Sequence, residues 1–125
     1  MKKVNFEVFG EGQFLYFDIG RLMQIEGQTG KSASDLITKQ DLSFSFLTVL
    51  LSVGLRQHGI KTPQWYAERL SEKFAAFEIT IDDIAVPLAK AIIGTGILGK
   101  QLYYNTFPEE LTPKVQEELE VIEKN

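Results

Sequence analysis

From Leu42 to Leu55 the chain reads Leu-Ser-Phe-Ser-Phe-Leu-Thr-Val-Leu-Leu-Ser-Val-Gly-Leu and closes in Arg56-Gln57-His58-Gly59. At helical periodicity Leu42, Phe46, Val49, Leu50 and Val53 form one apolar stripe, and Phe44, Leu47, Leu51 and Leu55 form a second. Polar neighbours can solvate neither side. The pattern therefore predicts a central helix, opening near Asp41 as N-cap, ending with Gly59 and enclosed by the remaining elements.

Before it, Val4, Phe6 and Val8 alternate with Asn5 and Glu7. After Gly10-Glu11-Gly12 follows Phe14-Leu15-Tyr16-Phe17-Asp18-Ile19, so a β-hairpin is predicted over about residues 3–19. Its second strand is apolar on both faces. One face must cover the helices, while the other, carrying Phe14 and Tyr16 or else Leu15 and Phe17, needs another cover. A lone hairpin is unstable in water, so it must lie on the helical core or join strands from another copy.

A short helix is predicted around Arg21 to Glu26, ended by Gly27, and a second near Ser34 to Lys39 after the polar loop Gln28 to Ser32. Beyond the central helix, Thr62 caps a helix with Pro63 at its first position. Its stripe is Tyr66, Leu70, Phe74 and Phe77, against an exterior of Glu68, Arg69, Glu72 and Lys73. Thr80-Ile81-Asp82-Asp83 resembles a capping box and opens a last core helix with Ile84, Leu88, Ala91, Ile92 and Ile93. Pro87 lacks an N–H, which predicts a kink or a division at that point, and Gly94, Gly96 and Gly99 end the element. The stretch Leu102 to Pro108 reads as an irregular aromatic segment. Thr112-Pro113 can start a short helix with Leu111, Val115, Leu119 and Ile122 on one side.

The fold class expected is α+β, mostly α: an N-terminal β-hairpin packed on a bundle of about four to six helices. Residues 1–107 form a single globular domain, with helices over about 20–99, and 108–125 an acidic C-terminal tail. A chain of 125 residues, 44% hydrophobic, suits one core.

Net charge is −4, and the tail holds all of it. Glu109, Glu110, Glu117, Glu118, Glu120 and Glu123 there outnumber Lys114 and Lys124, which leaves eleven acids and eleven bases in the body. A neutral body has no basic stripe to displace phosphate counterions, so nucleic acid is not an expected partner. No apolar run approaches the roughly 20 residues that cross a bilayer, and Asn5 and Glu7 interrupt any signal-peptide core. A soluble, cytoplasmic protein is expected, with no membrane partner. Without cysteine there is no thiolate nucleophile or thiolate metal site, and a single histidine nearly excludes imidazole metal sites.

Two motifs resemble nucleotide sites. Gly27-Gln28-Thr29-Gly30-Lys31-Ser32 ends like a phosphate-binding loop, but Ile25 stands where its first glycine is needed, and the residues before it look helical. Gly94-Thr95-Gly96-Ile97-Leu98-Gly99 matches the dinucleotide pattern by letter, yet a helix precedes it and too little chain follows for the rest of a doubly wound sheet. His58 has no nucleophile designated beside it and suits the negative end of the central helix together with Arg56. Asp82 and Asp83 belong at the positive end of theirs. Trp65 reads as a core or interface anchor. The tail reads as a solvated face whose apolar stripe leaves room for docking on a partner. No catalytic residue, metal or cofactor is expected.

The order of elements carries a resemblance. The aromatic hairpin Phe14-Leu15-Tyr16-Phe17-Asp18 leads to a short helix containing Leu22 to Glu26. An apolar helix closing in Leu50-Leu51-Ser52-Val53-Gly54-Leu55 follows, and then Thr62-Pro63 opens an amphipathic helix. Together, over roughly residues 4–98, they resemble the tail assembly chaperones of long-tailed bacteriophages and prophage elements, with Leu-Leu-x-x-Gly-Leu the sharpest word. The resemblance implies a noncatalytic role in the host cytoplasm. Several copies would coat the long helical tape measure protein and be displaced by tail tube protein. Contacts are then expected on Phe14, Tyr16, Phe17, Trp65 and the stripe Leu111, Val115, Leu119 and Ile122. Two other readings compete: a helical regulatory or DNA-binding domain built on the segments Leu42 to Gln57 and Pro63 to Phe77, and a nucleotide-binding protein using Lys31 and Ser32 or the Gly94 to Gly99 loop.

Overall fold

A computed structural model describes residues 1–124, and the side chains of residues 1–121. Strands β1 (Val4–Asn5) and β2 (Phe14–Leu15) form an antiparallel pair, with Val4 opposite Leu15. Seven helices follow: α1 (Ile19–Thr29), α2 (Asp35–Thr38), α3 (Phe44–Gly54), α4 (Pro63–Ala75), α5 (Asp82–Ile93), α6 (Lys100–Thr106) and α7 (Pro113–Lys124). The architecture is α+β and mostly α.

Helix α3 is the centre, contacted by α1, α4, α5 and β2. Phe46, Leu47, Thr48, Leu50, Leu51, Val53 and Gly54 are buried around its circumference, while Leu42 and Phe44 at its entrance remain exposed. It is shorter than the run of apolar residues that announces it. Asp41 lies three residues ahead of the first turn and accepts the N–H and O–H of Ser43 through Oδ1 (3.1 and 2.7 Å). At the other end the Gly54 carbonyl accepts the Tyr16 N–H (3.0 Å) and the Gln57 amide (3.1 Å), and the Val53 carbonyl accepts Arg21 Nη1 (3.3 Å). Tertiary donors thus satisfy the last-turn acceptors, and the chain tightens into a 3-10 turn over Arg56–His58.

The hairpin lies on the protein's own helices. Strand alternation turns Leu15 and Phe17 inward, both fully buried, and leaves Phe14 and Tyr16 on the outer face. Gly54 makes this approach possible. A Cβ there would stand 2.7 Å from Phe17 and 3.0 Å from Leu15.

Local expectations are corrected at four places. Helix α1 runs through Gly27, which keeps helical dihedrals, and ends where Gly30 turns left-handed (φ 70°), its N–H on the Glu26 carbonyl. The α4 stripe loses Phe77, which follows the helix at φ 56° and is 93% exposed, whereas Tyr66 and Leu70 are buried. Helix α5 is not divided at Pro87. The acceptor orphaned by the missing N–H is the carbonyl of Asp83 in the exposed first turn, where water can serve it. The aromatic stretch after Gly99 is helical rather than irregular. In α6, Tyr103 stacks near Phe107, and its hydroxyl donates to Glu110 Oε1 (3.0 Å). Lys2 binds the other Glu110 oxygen at 2.6 Å, so the start of the acidic segment is clasped to the amino terminus.

Candidate partner-binding site

Four surfaces hold the candidate residues. The first is a largely apolar groove of about 270 Å³ between α3 and α4, lined by Phe44, Thr48, Ala67, Leu70, Ser71 and Phe74. Ser43 starts α3 just before Phe44, so this ring projects beyond the enclosed part of the helix. It meets Phe74 edge-on at 5.7 Å, with 48% of Phe44 still exposed. The two hydroxyls of the groove are occupied within their own helices: Thr48 donates to the Phe44 carbonyl (2.7 Å) and Ser71 to that of Ala67 (2.9 Å). Such a groove offers shape and apolar contact without committed polar recognition, which suits a side chain of another polypeptide better than a polar metabolite.

The second surface is a hollow of about 400 Å³ on the outer hairpin face, lined by Met1, Lys3, Phe14, Tyr16, Arg21 and Gln57. Arg21, 9% exposed, donates from Nη1 to the Tyr16 carbonyl (3.0 Å), the Val53 carbonyl and Gln57 Oε1. It thereby ties α1, the hairpin and the end of α3 together. Burial, then the neighbouring Arg56, push its pKa below the ordinary guanidinium value. His58 belongs to the same junction. Its Nε2 accepts the Phe14 N–H (2.9 Å) and stands 3.2 Å from the Phe14 carbonyl, so the ring pairs with β2 in either tautomer.

Trp65 forms a third surface. Half-buried against Phe9 (6.1 Å) and Tyr66 (5.0 Å), it is flanked by the cations of Lys61 (5.2 Å) and Arg69 (4.9 Å). The fourth is α7, capped by Thr112, whose hydroxyl accepts the Val115 N–H (3.2 Å). Leu119 is buried, Leu111 and Val115 are half-buried, and the side chain of Ile122 lies outside the described residues.

Of the residues expected at contacts, the structure brings Phe14 and Tyr16 together in one hollow and separates them from Trp65 and from α7. Phe17 is corrected: it faces the core opposite Gly54 and presents no surface. Phe44, Phe74 and Arg21 were missed. Phe44 and Phe74 carry a signal in sequence, since each sits on an apolar stripe near a helix end where enclosure is incomplete; Arg21 carries none.

The two nucleotide-like motifs take up structural duties. Lys31 pairs with Asp41 Oδ2 at 2.7 Å and lies over the Phe46 ring, and this bond, with those from Ser43, holds the Asp41 pKa down to about 2. Gly94 closes α5 against Lys2, and Gly96 and Gly99 take positive φ before α6, with no strand ahead of them. Among the described residues no group of three or more acidic, histidine or cysteine side chains is placed to hold a metal, and no helix is long and apolar enough to cross a membrane. Compared with known proteins, the chain matches no family model, no curated protein and no solved structure.

Proposed function

We propose that the chain is a noncatalytic tail assembly chaperone of a long-tailed phage or prophage. It holds the tape measure protein soluble in the host cytoplasm, acts in several copies, and yields to tail tube protein as the tube grows. The observation that carries this reading is the half-exposed Phe44 set edge-on to Phe74 over a floor of Leu70. An amphipathic client helix can seat an apolar anchor there and extend along the α3–α4 surface. The order of elements, and the Leu-Leu-x-x-Gly-Leu word that closes α3, support the same family. Within this reading Phe14, Tyr16, Trp65 and the α7 stripe are secondary contacts.

The test is co-expression with the tape measure protein of the same phage or prophage, followed by gel filtration with light scattering. The expected outcome is a soluble complex holding several copies of this chain per client, and an insoluble client when the chain is omitted. A client equally soluble alone, with no co-elution, refutes the proposal.

A further inference from the structure

The Arg21 guanidinium has no carboxylate bonded to it among the described residues. A guanidinium this enclosed ordinarily faces a carboxylate, because burying an unpaired charge is costly. Arg21 instead bonds two carbonyls and an amide, all neutral and all through Nη1, while its buried Nε has no partner. Among the described residues neither Arg21 nor Lys3 has a carboxylate within salt-bridge distance. Asp18, the nearest acid to Arg21 in sequence, uses Oδ1 to cap α1 on the Arg21 backbone N–H (2.8 Å) and attracts the guanidinium through space without bonding it. Arg56 adds a further positive charge and bonds the neutral Gln24 side chain (2.6 Å).

Lys3 and Arg21 both line the hollow of about 400 Å³, and each stands over one of its aromatic walls: Lys3 over Phe14 (4.9 Å), Arg21 over Tyr16 (5.0 Å). The cavity therefore pairs two cations that have no direct carboxylate partner with apolar rings. We propose that this hollow is a binding site for an organic monocarboxylate, its charge between Lys3 and the Arg21 guanidinium and its apolar body against Phe14 and Tyr16. The aromatic walls favour an acid carried on a hydrocarbon over a fully hydrated inorganic anion. Phosphate, polar on every side, would leave those rings uncovered. The site stands independently of any client.

Arg21 is built into the junction of three elements, so Lys3, at the open rim, is the residue to vary. Backbone amide resonances of the full chain are followed by NMR during titration with benzoate, benzamide and inorganic phosphate. Benzoate should give saturating shifts at Phe14, Tyr16 and Gln57 in the millimolar range. Lys3→Gln should weaken it about fivefold, and Lys61→Gln, beside Trp65, should leave it unchanged. Benzamide of the same shape should give no saturable shift. Equal response to benzamide, tighter binding of phosphate, an unaltered affinity in Lys3→Gln, or no saturation below about 50 mM each overturns the proposal.

Discussion

The ring of Phe17 and the backbone of Gly54 touch so closely that a Cβ on Gly54 would lie 2.7 Å from Phe17 Cζ. This contact is where the hairpin rests on the central helix, and the neighbouring Tyr16 N–H to Gly54 carbonyl bond (3.0 Å) fixes the same register. It supplies a reason for the glycine in Leu-Leu-x-x-Gly-Leu: a smaller surface there lets an aromatic strand approach a helix that is buried all round.

Gly54→Ala is accordingly expected to destabilise the protein, although alanine favours helix. The propensity gain of about 1 kcal/mol is outweighed by displacement of a fully enclosed ring and of Leu15, giving a net loss of about 2 kcal/mol. Urea denaturation followed by circular dichroism measures it; an unchanged or higher midpoint would contradict the packing described.

Replacing Arg21 by methionine keeps an unbranched apolar stem in place of the arginine methylenes and removes the guanidinium donors. The Tyr16 and Val53 carbonyls and Gln57 then lose their shared partner, and the expected cost is about 3 kcal/mol. Exchange protection of β2 and of the last turn of α3 should fall first, because these are the elements the guanidinium joins.

Phe44 behaves differently because it is half-exposed. Phe44→Ser should change stability by no more than about 1 kcal/mol and yet weaken capture of the client helix at least about tenfold. A variant as stable as the parent that still binds the client with full affinity by calorimetry would remove the α3–α4 groove from the proposed function.

Asp41 sets an acid-sensitive step. Its carboxyl titrates near 2 in the folded chain, below its ordinary 3.8, first because of the Lys31 bond. Above pH 3.8 the folded chain holds the favoured carboxylate, so the stabilisation is complete there. As pH falls through this window the unfolded chain takes up the proton more readily, and the stabilisation is lost. Asp41→Asn should therefore lower the urea midpoint at pH 6 and converge with the parent near pH 2. A gap independent of pH would sink the assignment.

Ending the chain after Leu111 should leave cooperative unfolding intact. Among the described residues Leu119 is the buried side chain of α7, and the Lys100–Glu118 pair (3.0 Å) is about half exposed on both sides. Together they account for a loss of about 2 kcal/mol or less. A truncated chain that no longer folds would show that α7 is integral to the core.

How far the sequence reaches can be judged element by element. The circumferentially apolar run predicts a central enclosed helix, and Thr62-Pro63 and Thr112-Pro113 locate two helix starts, because capping and proline geometry act within one turn. Helix ends are less legible. Gly27 and Gly30 are chemically the same, and only the assembled chain decides which one turns left-handed. Phe77 continues a periodic pattern that the backbone has already abandoned.

The candidate surfaces divide in the same way. That the hairpin's second strand has two apolar faces is written in alternating residues, and so is the concentration of negative charge in the last eighteen positions. Which face is covered was decided by the tertiary contact of Phe17 with Gly54. The meeting of Lys3, Arg21, Phe14 and Tyr16 around one hollow, and of Phe44 with Phe74, arose the same way. Periodicity and capping are local and survive in a linear string; enclosure and charge pairing depend on which distant segments pack together, and only the folded chain holds that information.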